Sequence, residues 1–222
     1  MKRLSFLDTL SLWIGRIILA LLVWFAFIQI GIRMLRRYKH FPAPPFIAAF
    51  LDSPIRKAMQ PPEEIVTQVG IKPGMTVLEL GPGPGTFTIE AARRVLPGGK
   101  VIAVDIEPRM LARLRDKAVH LGVNNLQIHQ SDAYHLPVSD ASIDLAFMVT
   151  VLAEIPDRAR ALAELRRVLR PGGILSVSEL VTDPDYPRQS TVIRWCQTAG
   201  FRHESSHNHL LWYIANFRKP QE

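Results

Sequence analysis

Six residues of this chain have the type and spacing to grip a nucleotide-like ligand: Glu79, Gly81, Gly83, Gly85, Asp105 and Asp132. Residues 77–86 read VLELGPGPGT, an apolar run that ends in an acid and breaks into three glycines spaced two apart. Glycines lack a Cβ, so a backbone carrying them turns sharply and approaches a ligand closely. The stretch after Thr86 has apolar residues at helical spacing, so the loop opens a helix whose first N–H groups are free to face a negative group. Asp105 closes residues 100–106 (KVIAVDI), twenty positions after Gly85. A carboxylate there is placed to accept hydrogen bonds from ribose hydroxyls. Asp132 ends residues 127–133 (QIHQSDA) and supplies a further acceptor.

These residues need a frame that brings strand ends together. Val77, Leu78 and Leu80 suit a buried strand, and β-branched runs recur at 100–106, 127–133, 142–150 (SIDLAFMVT) and after the Pro-Gly-Gly turn of 167–177 (RVLRPGGILSV). Five strands alternating with helical segments predict a doubly wound parallel α/β sheet. Pro61 and Pro62 followed by Glu63 and Glu64 predict a helix start.

The ordered set LELGPGPG, AVDIEPRML, SDAYHLP, SIDLAF and RVLRPGG resembles the class I S-adenosylmethionine (SAM) methyltransferases, over residues 54–218. Within them it resembles the small-molecule branch that includes the ubiquinone and menaquinone C-methyltransferases. The resemblance implies a doubly wound, seven-stranded Rossmann-like sheet closed by an antiparallel hairpin of its sixth and seventh strands, with SAM as methyl donor. It implies that Gly81, Gly83 and Gly85 pack against the methionine part of SAM while Glu79 and the loop backbone orient its charged ends. Asp105 would hold the ribose, Ile106 would pack on the adenine, and Asp132 with the Ala133 backbone would read the adenine's polar edge. The chemistry agrees, since carboxylates accept from hydroxyls and amines and apolar side chains sandwich a flat ring.

Residues on the methyl-acceptor side are fewer. Glu154 follows the fourth strand where the resembled branch has a histidine pair, and His135 follows Asp132-Ala133. These two are the candidate catalytic groups, each weighed against a surface or packing role. His203, His207 and His209 read as a closing hairpin turning around His207-Asn208 rather than as a metal site, because no set of carboxylates or cysteines accompanies them. Cys196, the one cysteine, reads as a buried apolar residue, which excludes an internal disulfide and counts against arsenite chemistry. The GPGPG-Thr loop is also similar to that of the rRNA adenine dimethyltransferases. Phe147-Met148-Val149-Thr150-Val151, however, lacks the proline and amide that hold an exocyclic amine.

Residues 10–32 are apolar on every face apart from Arg16 and Gln29, and predict one transmembrane helix that contacts membrane lipid, with monotopic, interfacial seating as the alternative. As a helix the segment is about 34 Å long at ~1.5 Å per residue, enough to cross a hydrocarbon core. Arg16 would cost about 2.5–3.5 kcal/mol at the bilayer centre, but it sits near one end. Residues 1–40 carry seven Lys/Arg against one Asp, a net +6 out of the chain's +7, which leaves +1 for residues 41–222. The basic excess therefore belongs to the anchor, and a near-neutral remainder does not favour nucleic acid. Arg33, Arg36, Arg37 and Lys39 directly follow the span, which predicts a cytoplasmic catalytic domain. The predicted organisation is an anchor at 1–40, a Pro-rich linker with a possible lid at 41–62 and a methyltransferase domain at 63–222. A membrane-anchored enzyme acting on a small lipophilic acceptor (quinone-like, phenolic, thiol or lipid amine) is the leading reading. A SAM-binding scaffold or sensor without turnover is the alternative. The sequence leaves the oligomeric state open.

Overall fold

The computed structural model describes residues 12–20, 23, 24, 27, 31 and 48–221. Two compact units partition the chain, Met1–His40 and Phe41–Glu222. In the first unit, residues 12–20 are helical and exposed. The rest of the expected transmembrane segment at 10–32 lies largely outside the described residues. Among the described residues no helix is long and apolar enough to cross a membrane.

The second unit is built on a seven-stranded mixed sheet of order β3-β2-β1-β4-β5-β7-β6. Its strands are β1 (Thr76–Leu80), β2 (Lys100–Asp105), β3 (Leu126–Gln130), β4 (Ile143–Val149), β5 (Leu169–Leu180), β6 (Arg202–Asn208) and β7 (Trp212–Arg218). The first five run parallel, and β7 inserts antiparallel between β5 and β6. The helices are α1 (Ala48–Leu51), α2 (Pro54–Met59), α3 (Pro62–Val69), α4 (Thr88–Arg94), α5 (Pro108–His120), α6 (Arg158–Val168) and α7 (Gln189–Thr198).

Both faces of the parallel strands are buried, as a doubly wound sheet requires. Leu78, Ile102, Ala146 and Val177 pack with α6 and α7 on one face, and Val77, Val101, Leu145 and Phe147 pack with α3 and α4 on the other. α3 follows the sequence signals closely. Pro62 occupies its first turn with Glu63 and Glu64, and Gly70 ends it at φ 91°, a left-handed conformation that favours glycine.

Two local expectations shift. The hairpin turns at residues 209–211 rather than around His207-Asn208, because β5 pairs Leu180 with Trp212 and the His209 N–H donates to Trp212 O at 2.8 Å. The Pro-Gly-Gly turn does not precede β5 but interrupts it. Leu169 already pairs with Ile143, residues 170–173 bulge out, and pairing resumes at Leu145 and Ile174. Within the segment expected as linker and possible lid, residues 48–60 form α1, α2 and the turn into α3.

Candidate active site

The C-terminal ends of β1, β2, β4 and β5 share one edge of the sheet, and the chemistry-bearing residues converge there. Gly81 donates its N–H to Val104 O at 2.8 Å as the chain leaves β1. Its φ is 70°, and a Cβ at this position would lie 2.5 Å from Val151 Cγ2 in the segment after β4. Gly85, at φ 84°, meets α5 in the same way, since a Cβ there would lie 2.3 Å from Leu114 Cδ1. Steric room and backbone sign therefore both demand glycine. The helix after the loop begins at Thr88, with Phe87 as an N-cap lacking any side-chain bond.

Glu79 points from β1 into this edge and is 2% exposed. Its Oε2 has no hydrogen-bond partner among the described residues, and neither has the nearby Thr88 hydroxyl. Burial pushes the Glu79 carboxyl up to about 8; Thr88 opposes this, the Asp105 charge adds to it, and Lys117 again opposes it. A buried acid of this kind is poised to ionise when a cation arrives.

Asp105 ends β2 with both oxygens in use. Oδ2 accepts the Gly83 N–H at 3.2 Å and Oδ1 accepts the Glu107 N–H at 2.9 Å. Burial raises its pKa, while the amides of Glu107, Gly83 and Ile106 pull it back. Each oxygen keeps a lone pair for a further donor. Ile106, beside it, is 56% exposed. Asp132 stands two residues beyond the end of β3, where Oδ1 accepts the Tyr134 N–H at 2.9 Å. Ala133 is half-buried against the core.

His135 is exposed and engaged at both ring nitrogens. Arg160 Nη2 donates to Nε2 at 2.8 Å, which leaves the ring proton on Nδ1, 3.0 Å from Asp132 Oδ1. It therefore orients Asp132 at the β3 end of the edge. Glu154 lies elsewhere, in the 3₁₀ turn Leu152–Glu154 that follows β4.

Sequence reasoning missed several buried polar groups around the ends of β4 and β5. Glu179, on β5, is 1% exposed and its Oε1 has no hydrogen-bond partner among the described residues. Burial raises its pKa well above the usual range, and the charges of Asp183, Glu154 and Asp185 add to this. Tyr213, opposite it on β7, packs edge-on against Tyr186 and donates its hydroxyl to Pro187 O at 2.9 Å. On the other face, Gln60 is fully buried and donates from Nε2 to Ser178 Oγ at 2.8 Å. Arg56 is 3% exposed. Thr150, closing β4, takes φ 57°, an outlier for a β-branched residue, and its N–H donates to Ser178 O. One signal for Glu179 was available, namely a charged residue inside the apolar run ILSVSELV.

The C-terminal histidines do structural work. His203 Nε2 is 2.8 Å from Ser206 Oγ, and His209 stacks on Trp212 with ring centroids 3.6 Å apart. Among the described residues no group of three His, Cys, Asp or Glu side chains is arranged to hold a metal. An open cavity of about 240 Å³ lined by Thr76, Lys100, Gln127 and Ser142 lies at the N-terminal ends of the strands, away from this edge.

Comparison with known proteins decides the family. Residues 71–216 match the family described as a methyltransferase domain. The chain belongs to that family. An arsenite methyltransferase from Halobacterium salinarum is 36% identical to this methyltransferase over 115 residues, 52% of this chain and 29% of that protein. The ubiquinone/menaquinone biosynthesis C-methyltransferase UbiE from Teredinibacter turnerae is 40% identical over 111 residues, 50% of this chain and 45% of that protein. The aligned stretch thus spans less than half the length of these curated relatives. A SAM-dependent methyltransferase from Aquifex aeolicus superposes with a TM-score of 0.76 at 25% identity, covering 80% of this chain and all of that one.

Residues 71–216 thus form a class I SAM-dependent methyltransferase domain. These residues fit SAM. The glycine loop lets backbone approach the ligand, Glu79 is a buried acceptor suited to an ammonium, and Asp105 has lone pairs for hydroxyls. SAM supplies a sulfonium methyl group ready for in-line displacement. What the protein adds is alignment and water exclusion at the sheet edge.

Proposed function

We propose that this methyltransferase moves the methyl group of SAM to a small lipophilic acceptor held over the ends of β4 and β5. In this reading residues 10–32 seat the enzyme on or in a membrane, and the catalytic domain faces the cytoplasm. The observation that carries it lies at the N-terminus. Leu12, Trp13, Ile14, Ile17, Ile18 and Leu19 sit in helical backbone with 49–62% of each residue exposed. A helix with exposed apolar side chains on successive positions suits a lipid environment rather than water. Arg33, Arg36, Arg37 and Lys39 support the orientation.

Glu79, Gly81, Gly83, Gly85, Asp105, Ile106, Asp132 and Ala133 form the donor half of the site in this reading, with His135 steadying Asp132. Glu179 and Glu154 lie toward the acceptor half. Only residues 181–188 separate β5 from α7, so no large cap is inserted there, which favours a small acceptor over a polymer. The likeness to UbiE favours a quinone-like carbon, with phenolic oxygen, thiol and lipid amine as the other acceptor classes. An arsenite acceptor is disfavoured, because the chain's one thiol, Cys196, is fully buried and burial pushes its pKa up.

The test is transfer of labelled methyl groups from SAM to extracts of host membranes and cytosol, partitioned into organic, aqueous and protein fractions. Label in the organic fraction, absent with Asp105→Ala, supports the proposal. Label confined to the aqueous or protein fractions removes the lipophilic acceptor.

A further inference from the structure

Arg56 is a buried cation with no ion pair among the described residues. Its guanidinium Nη1 has no hydrogen-bond partner there either. Its neighbours include the ring of Phe87, 5.7 Å from the guanidinium carbon, and the charge of Asp183 acts on it. Burial lowers its pKa to about 10, so it stays charged at neutral pH. A buried guanidinium with an idle N–H calls for a carboxylate or phosphate, and its fork geometry suits either.

The segment that carries Arg56 is strapped across the glycine loop. The Thr86 hydroxyl donates to Leu51 O at 2.9 Å, and Lys117 and Lys57 both pair with Asp52, at 2.7 and 2.9 Å. Burial alone would raise the Asp52 carboxyl, but the two ammonium groups outweigh it and hold it below its ordinary value. At the far end, Gln60 is tied to Ser178 on β5. The strap therefore runs from the loop's exit toward β5. Asp105 and Asp132 lie at the opposite side, over β2 and β3. A SAM molecule with its nucleoside over β2 and β3 extends its methionine toward β1 and β4, where Phe87 and Arg56 sit.

We propose that Arg56 binds the α-carboxylate of SAM, which makes the strap of residues 51–60 part of the donor site. Glu79 then faces the ammonium of the same amino-acid end, so two buried groups whose Nη1 and Oε2 have no partner among the described residues read the zwitterion together. The inference rests on the SAM dependence established above.

The test is calorimetric binding of S-adenosylhomocysteine and of its carboxyl methyl ester to the full chain and to Arg56→Gln. The unsubstituted protein should prefer the free acid by about 30-fold, the range of charge-assisted hydrogen bonds. In Arg56→Gln that preference should fall to about threefold or less, and Arg56→Lys should lie between. A preference that persists in Arg56→Gln, including one in which both ligands weaken equally, overturns the proposal and points to an anionic acceptor or a packing role. Should Arg56→Gln fail to fold, the guanidinium ¹⁵N resonance of Arg56 in the unsubstituted protein must shift with the free acid and not with the ester. No shift overturns the proposal equally. Binding of neither ligand by the unsubstituted protein would instead remove the SAM reading beneath it.

Discussion

Gly83 donates its backbone N–H to Asp105 Oδ2 across 3.2 Å, so the carboxylate that ends β2 also holds the crest of the glycine loop. One side chain thus shapes the loop and offers lone pairs to a ligand beside it. Asp105→Ala removes both and should weaken S-adenosylhomocysteine binding by about 100-fold, roughly 3 kcal/mol for hydrogen bonds to a charged group. Asp105→Asn keeps one acceptor and should fall between. Calorimetry decides this, and unchanged affinity in the Ala variant would remove Asp105 from the donor site.

Gly81 combines a positive φ with a neighbour, Val151, that leaves no room for a Cβ. Gly81→Ala should destabilise the protein by about 2–5 kcal/mol, from left-handed strain of ~1–2 and overpacking of ~1–3. Adding Val151→Ala should restore the packing part and leave the strain. Urea unfolding of the single and double variants separates the two, and a double variant no better than the single would contradict the steric account.

Thr150 holds the same handedness without glycine's freedom. Relief of strain in Thr150→Gly should stabilise the fold by about 1 kcal/mol, net of the entropy of the unfolded chain. Thr150→Ala should give no such gain. The unfolding midpoint should move while the denaturant slope stays constant.

Glu79 couples folding to pH. Its carboxyl rises from 4.5 to about 8 on folding, so the folded protein keeps a proton that the unfolded chain releases. Stability of the ligand-free protein should therefore be greatest below pH 4.5, as far as this group is concerned. It should fall as pH rises from 4.5 to about 8, by at most ~1.4 kcal/mol per unit, and level off above. Glu79→Gln should remove that share of the slope. Denaturant curves at several pH values, with and without the substitution, check it; parallel profiles would mean that Glu79 does not titrate in this window.

Glu179 is buried on β5, beside β4, with an oxygen that has no hydrogen-bond partner among the described residues. Glu179→Gln should lower kcat/KM for the acceptor by about 10-fold or more and leave S-adenosylhomocysteine affinity within twofold. Initial rates across acceptor concentrations, paired with calorimetry, test this. Equal loss in both would make Glu179 a structural residue.

The parallel sheet and the glycine loop were legible because their signals are local. Val77, Leu78 and Leu80 mark a strand, and Gly81 and Gly85 mark a turn that no other residue fits. The hairpin was displaced because Asn208 carries a turn signal, whereas the register of β7 is set by its ladder with β5, more than thirty residues earlier. The bulge at 170–173 was hidden for a similar reason: Pro-Gly-Gly reads as a break, but pairing of Leu169 with Ile143 extends the strand on its far side. Arg56 and Gln60 were invisible as site residues. Gln60 meets Ser178 across 118 positions of sequence, and nothing near either residue announces that contact. Glu179 needed its burial to be known before its isolation in an apolar run meant anything.

The most direct measurement is a single-turnover chase. Protein saturated with methyl-labelled SAM is freed of excess donor and mixed with a lipid extract of host membranes, and label is followed in the protein-bound and organic phases. The account predicts that label leaves the protein for the organic phase, that S-adenosylhomocysteine stays behind in equal amount, and that Glu179→Gln slows the transfer. Label that remains as bound SAM, with the same extract shown to contain quinone-like, phenolic and amine lipids, would contradict it.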